Sequence, residues 1–139
     1  MNDRPLTGGC LCGGVRFEVS EPPVMALYCH CTRCQRRTGS SASASVEIVP
    51  GSLRIRQGEE LVCAYEPPDG FAKDFCSRCG SALWARNPAD QDERFVRLGA
   101  FDDDPGIRPS ARQFVAYAAS WEPIPDDGLT RYPERRPRP

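Results

Sequence analysis

Lysine and histidine are nearly missing from this chain. Lys73 is the only lysine among 18 basic residues, and His30 is the only histidine. With one histidine there is no His-Glu-x-x-His motif, and so no sign of metalloprotease-type chemistry. Long apolar runs are missing as well, since no stretch approaches the roughly 20 residues of a membrane span. Met1 to Gly9 has no apolar segment of the kind that marks a secretory signal. The formal net charge of -1 provides no overall attraction to nucleic acid or to an anionic membrane. Repeats and long helical stripes are absent. These absences point to a cytosolic domain, where thiols stay reduced.

Cysteine is plentiful. Seven of the 8 cysteines fall into three clusters: Cys10-Leu11-Cys12, Cys29-His30-Cys31-Thr32-Arg33-Cys34 and Cys76-Ser77-Arg78-Cys79-Gly80. A Cys-x-Cys pair is too close for an ordinary disulfide, so a reduced chain reads as metal-binding, with zinc the default for sulfur-only sites. Seven ligands divide into four plus three. A site with three protein ligands keeps a position open for chemistry.

Cys76-x-x-Cys79-Gly80 has zinc-knuckle spacing, with the glycine available for the tight turn. It needs two further ligands. Cys10 and Cys12, on the Gly-rich turn Gly9 to Gly14, are the candidates, and two small buried side chains are the alternative. In the middle cluster an extended Tyr28–Cys31 puts Cys29 and Cys31 on one face and His30 on the other. Cys34 then returns from the first turn of a short helix, which leaves His30 more suited to packing than to ligation. Three thiolates on Zn²⁺ make an anionic centre. Such a centre suits capture of an external thiol as a nucleophile better than generation of hydroxide. Arg33, Arg36 and Arg37 surround Cys34. They are candidate contacts for the carboxylates of an acidic thiol such as glutathione, or a solvated helix face. Cys63 reads as a buried strand residue, with a fourth ligand for the middle site as the alternative. Trp84 and Trp121 read as core, and Ser40 and Ser41 as turn serines within reach of a substrate.

The rest of the pattern is short extended segments cut by Gly and Pro. Strands are expected at Val15–Val19, Ala26–Cys31, Ser45–Val49, Leu53–Arg56, Leu61–Tyr65, Lys73–Phe75, Ala82–Ala85, Phe95–Leu98 and Phe114–Tyr117. Pro50-Gly51 reads as a hairpin turn between the third and fourth of these. Only Thr32–Thr38, closed by Gly39, reads as helix, with Thr32 as its cap. The expectation is a mainly β domain of small antiparallel sheets over residues 1–131. A Pro/Arg-rich tail at 132–139 is expected to be disordered. Exposed strand edges leave room for a homodimer.

Gly8 to Phe17, Cys29 to Ser40 and Phe75 to Ser81 resemble, in that order, the glutathione-dependent formaldehyde-activating enzyme family, also called the CENP-V/GFA domain. Leu98 to Asp102, Ser120-Trp121 and Asp126 to Leu129 resemble its later turns, so the likeness runs from about Thr7 to Tyr132. Ala100-Phe101 and Gln113-Phe114 depart from the family pattern, which leaves proton transfer unassigned. The resemblance implies a β-tent fold with two zinc ions per chain. Cys10, Cys12, Cys76 and Cys79 would hold a structural zinc, and Cys29, Cys31 and Cys34 a catalytic one. The implied activity is carbon–sulfur lyase chemistry, the reversible addition of glutathione to formaldehyde. A zinc-binding interaction module that is not an enzyme is the competing expectation, and redox or zinc storage a third.

Overall fold

The computed structural model describes residues 4–138; the expected start of the domain at Met1 and the last tail residue, Pro139, lie outside them. The chain is mainly β, with one α-helix among the described residues. Strands β1 (Leu6–Gly9), β2 (Arg16–Val19) and β5 (Leu53–Gln57) form a small antiparallel sheet in the order β1-β2-β5. The larger sheet contains β3 (Met25–Cys29), β4 (Ser43–Glu47), β6 (Val62–Tyr65), β7 (Ala72–Cys76), β8 (Ala82–Asn87), β9 (Asp90–Arg97), β10 (Pro109–Gln113) and β11 (Thr130–Arg131). Its order is β11-β10-β3-β4-β9-β8-β7-β6, and β10 runs parallel to both of its neighbours.

Alternation along the strands gives the large sheet two faces. Ala26, Val46, Trp84 and Val96 face the small sheet and meet Val15, Phe17 and Val19 in the main core. Phe17 and Trp84 pack edge-on with ring centroids 5.6 Å apart. Each fully buried Val or Phe contributes roughly 1.5–3 kcal/mol. The alternate residues Leu27, Cys29, Ser43, Ser45, Phe95, Arg97, Ala85 and Lys73 share the opposite face, which is the wall of a cavity.

Three expectations are corrected here. The segments around Pro50-Gly51 do not form a hairpin: β4 pairs with β3 and β9, whereas β5 pairs with β2. Val46, Ile48 and Leu53 all enter one core, so the two strands face each other across it rather than lying side by side. The strand expected at Phe114–Tyr117 is a 3-10 turn entered through Phe114 at φ 57, and the strand is the preceding Pro109–Gln113. Residues 132–138 are docked rather than disordered. Val115 and Phe114 donate backbone N–H bonds to Tyr132 and Glu134. Arg136 pairs with Glu47 and Arg138 with Glu93, so charge complementarity holds a segment whose composition has little apolar surface to bury.

Smaller differences follow from local geometry. Strand β1, unassigned from sequence, lies so close to its neighbours that a Cβ at Gly8 would overlap the Ala100 carbonyl and the Phe17 ring. Trp84 is core, but Trp121 is 65% exposed. Cys63 is exposed, because β6 is the edge strand of its sheet. No helix among the described residues is long and apolar enough to cross a membrane.

Asp74 is a buried charge tied to two partners on the adjacent strand. Trp84 Nε1 donates to it at 2.6 Å and Arg86 Nε at 2.9 Å. Removing a carboxylate of this kind strands a half-buried guanidinium and an indole N–H. Asp74→Ala is expected to cost about 3 kcal/mol in a denaturant titration. Asp74→Asn is expected to cost less, because it keeps one acceptor.

Candidate metal centres

Two turns separated by 64 residues bring four sulfur atoms together. In the first, Gly13 N–H bonds to the Cys10 carbonyl and Cys10 N–H to the Val15 carbonyl. In the second, Gly80 at φ +78 lets its N–H return to the Cys76 carbonyl. The Sγ atoms of Cys10, Cys12, Cys76 and Cys79 lie within 4.8 Å of one another. Cys10 and Cys12 are 3.6 Å apart, and Cys12 and Cys76 are 3.9 Å apart. A tetrahedron with Zn–S bonds of about 2.3 Å has sulfur–sulfur edges of about 3.8 Å, so the donor set fits such an ion.

Hydrogen-bond donors from backbone and side chains surround this cluster. Val15 N–H donates to Cys10 Sγ at 3.2 Å, and Arg78 Nε donates to Cys12 Sγ at 3.3 Å. The Ser81 hydroxyl lies 3.2 Å from Cys79 and, with backbone N–H groups, holds that thiol down to about 5. Arg78 and Ser81 were not recognised from the sequence. The usable signal was their position inside and next to the Cys-x-x-Cys turn.

The second group is Cys29, Cys31 and Cys34, again with all Sγ atoms within 4.8 Å. Cys29 ends β3. Helix α1 spans Thr32–Thr38, and its cap is Cys31 rather than Thr32, with Cys31 Sγ accepting from Cys34 N at 3.3 Å. Gly39, in the left-handed conformation at φ 69, closes the helix as expected. Ser43 Oγ donates to Cys34 Sγ at 3.2 Å. Cys29 and Cys34 donate to Cys31 and hold it down to about 2, while its hydrogen bonds to Cys31 and Cys34 push Cys29 up. Three thiolates this close repel, and a dication is the species that lets all three ionise.

His30 is not part of this group. It is buried on the opposite side, where Arg112 Nη1 lies 3.1 Å from its Nε2. Burial and then Arg112 depress its pKa, so the ring stays neutral. Arg112 in turn pairs with Asp127 at 2.8 Å and stacks on Tyr28. Cys63 is likewise outside both groups.

The three-cysteine group opens on a cavity of about 530 Å³. Of the three arginines expected there, Arg33 alone lines it, held by Asp69 at 2.7 Å. Arg36 points to solvent, and Arg37 lies over the Phe75 ring and lines a different hollow. Ser43 and Ser45 take the place expected of Ser40 and Ser41. Lys73, Arg97, Arg135, Arg136 and Arg138 complete a basic lining that the sequence scatters from Arg33 to Arg138.

The model of the glutathione-dependent formaldehyde-activating enzyme family matches residues 5–117, which include both cysteine groups. The chain belongs to this family. A Halomonas elongata protein, provisionally named glutathione-dependent formaldehyde-activating enzyme, is 35% identical over 89 residues. That alignment covers 60% of this chain and 57% of the relative. A crystal structure of a Rhodobacter sphaeroides protein superposes with a TM-score of 0.58 at 22% identity, over 91% of this chain and 98% of that one. This likeness concerns the fold alone.

The two groups predict separable metal losses. Protein loaded with zinc is expected to carry two ions per chain by elemental analysis. Cys34→Ser is expected to carry one and remain folded. Cys76→Ser is expected to lose the four-sulfur ion and, with it, most of its stability, since structural zinc contributes on the order of 10 kcal/mol in small domains.

Proposed function

We propose that the chain is a zinc-dependent carbon–sulfur lyase that adds a small thiol such as glutathione to a small aldehyde such as formaldehyde, and cleaves the adduct. The observation that carries this reading is the asymmetry of the two sulfur groups. Four thiols surround one point at the edge of the core, while three surround another at the wall of a cavity. In this reading the fold is the β-tent, the first ion is structural, and the chain works in the cytosol.

Cys29, Cys31 and Cys34 would hold a dication, and such an ion would supply the chemistry that lowers the pKa of a thiol and keeps its thiolate nucleophilic. The protein does the rest. Ser43 holds Cys34 in place through its hydroxyl. The 530 Å³ cavity has room for a tripeptide, far more than formaldehyde alone fills. The thiolate lone pair forms the C–S bond, the carbonyl π pair moves to oxygen, and the alkoxide takes a proton from water. Cleavage runs the same steps in reverse.

A pure interaction module could have its second metal closed by the chain, and no fourth Cys, His, Asp or Glu stands with the three cysteines among the described residues, which favours the enzyme reading. Cobalt-substituted protein titrated with glutathione separates the two readings. The expected result is a change in the visible spectrum saturating at one thiol per chain and absent in Cys34→Ser. An unchanged spectrum with two saturated tetrahedral sites would refute the lyase reading.

A further inference from the structure

Six basic side chains line the three-cysteine cavity, and Asp69 is the one carboxylate among its lining residues. Three of the six are neutralised: Arg33 by Asp69, Arg136 by Glu47 and Arg138 by Glu93. Arg135 lies exposed at the rim. The other two, Lys73 and Arg97, stand on the floor and have no acidic partner. Lys73 makes no hydrogen bond or ion pair among the described residues. Arg97 donates from Nη1 to Ser45 Oγ at 2.7 Å, and its buried Nε–H has no partner.

Two half-buried cations without a carboxylate partner leave N–H groups on the cavity floor that an anionic occupant can satisfy. Desolvation and then the charge of Arg97 depress the pKa of Lys73, and desolvation and then the charge of Arg37 depress that of Arg97. The three thiols favour both cations, but three thiolates with a dication carry only one net negative charge. Two floor cations exceed that by one, so the cavity has a positive charge to spare for its occupant.

Strand register brings Arg97 toward the reacting end of the cavity. Cys29 lies opposite Ser43, Leu27 opposite Ser45, and Ser45 opposite Arg97. Ser43 contacts Cys34, and Ser45 contacts Arg97. Two residues along one face of a strand span about 7 Å. A sulfur–carbon–oxygen unit with a hydrogen bond at its end covers a distance of that order. Lys73 reaches the same floor one row over, through Ala85 and Phe95.

We propose that Lys73 and Arg97 form the oxyanion cradle of this site. Their N–H groups receive the oxygen of the thiol–aldehyde adduct as the C–S bond forms, and release it when that bond breaks. The proposal rests on the lyase reading and assigns the oxygen end of the reaction to these side chains. During addition negative charge leaves sulfur and arrives on oxygen, so fixed cations there favour the transition state over bound thiol. The pair also favours an anionic occupant over a neutral one.

The test is the rate of exchange between glutathione, formaldehyde and S-hydroxymethylglutathione, measured by NMR on zinc-loaded protein. Lys73→Met and Arg97→Met are expected to lower kcat about 100-fold with KM for glutathione within about twofold. Lys73→Arg is expected to recover most of that loss. A change under threefold in kcat would overturn the proposal. So would a loss confined to KM, which would make the pair a carboxylate dock. A second readout is independent of turnover: ¹³C-formate is expected to bind wild-type zinc protein and to bind Lys73→Met at least tenfold more weakly. If wild-type protein does not accelerate exchange, the lyase reading fails, and formate still decides the cradle. Equal binding to both proteins, or to neither, would reject it even if exchange is fast.

Discussion

Four sulfur atoms converge on one point from two turns that stand far apart in the chain. The turn of Cys10 and Cys12 leads into the small sheet, and the turn of Cys76 and Cys79 joins β7 to β8 of the large one. The two sheets meet through one core of valines, Ile48, Leu53 and Leu83 around Phe17 and Trp84. Such a core gives limited stability by apolar burial alone. An ion held there would pin one edge of the two sheets, since Cys10 and Cys76 are themselves members of the core. Gly58 shows how tight the closure is. At φ +79 it lies so close to the Gly14 carbonyl that a side chain there has no room.

The second consequence is a division of labour across one sheet. Period-two alternation sends Asp74 to the core face, where it ties Trp84 and Arg86, and sends its neighbour Lys73 to the cavity face. Val96 and Arg97 divide in the same way. The face that stabilises the protein and the face that handles an anion are therefore built from adjacent residues. A one-residue slip of register would exchange core for cavity lining.

The clustering of the cysteines was legible in the sequence because their spacing is local. Cys-x-x-Cys-Gly, Cys-x-Cys and the alternation that turns His30 away from Cys29 and Cys31 are short-range facts, and the structure has the same arrangement. The helix Thr32–Thr38 was legible for the same reason. What was hidden depends on contacts between distant segments. Pro50-Gly51 looks like any hairpin turn, and only the shared core of Ile48 and Leu53 shows that the chain changes sheets there. Lys73 and Arg97 belong to strands whose neighbours are chosen by the fold. Arg36 and Arg37 looked closer to the site than they are, because proximity along a helix says little about which way its faces point. The segment after Thr130 was misjudged on composition, which does not register the acidic partners waiting on β4 and β9.

That docked segment also sets an order of events. During synthesis the four-sulfur anchor is complete once Cys79 has emerged, and the three cysteines of the second group precede it. The wall of the cavity closes only when Glu134 and Arg136 reach the backbone of Phe114 and the side chain of Gln113. Both sulfur groups therefore precede in the chain the segment that closes the cavity, so a chain shortened before Tyr132 would keep every clustered cysteine while the cavity loses one side of its wall.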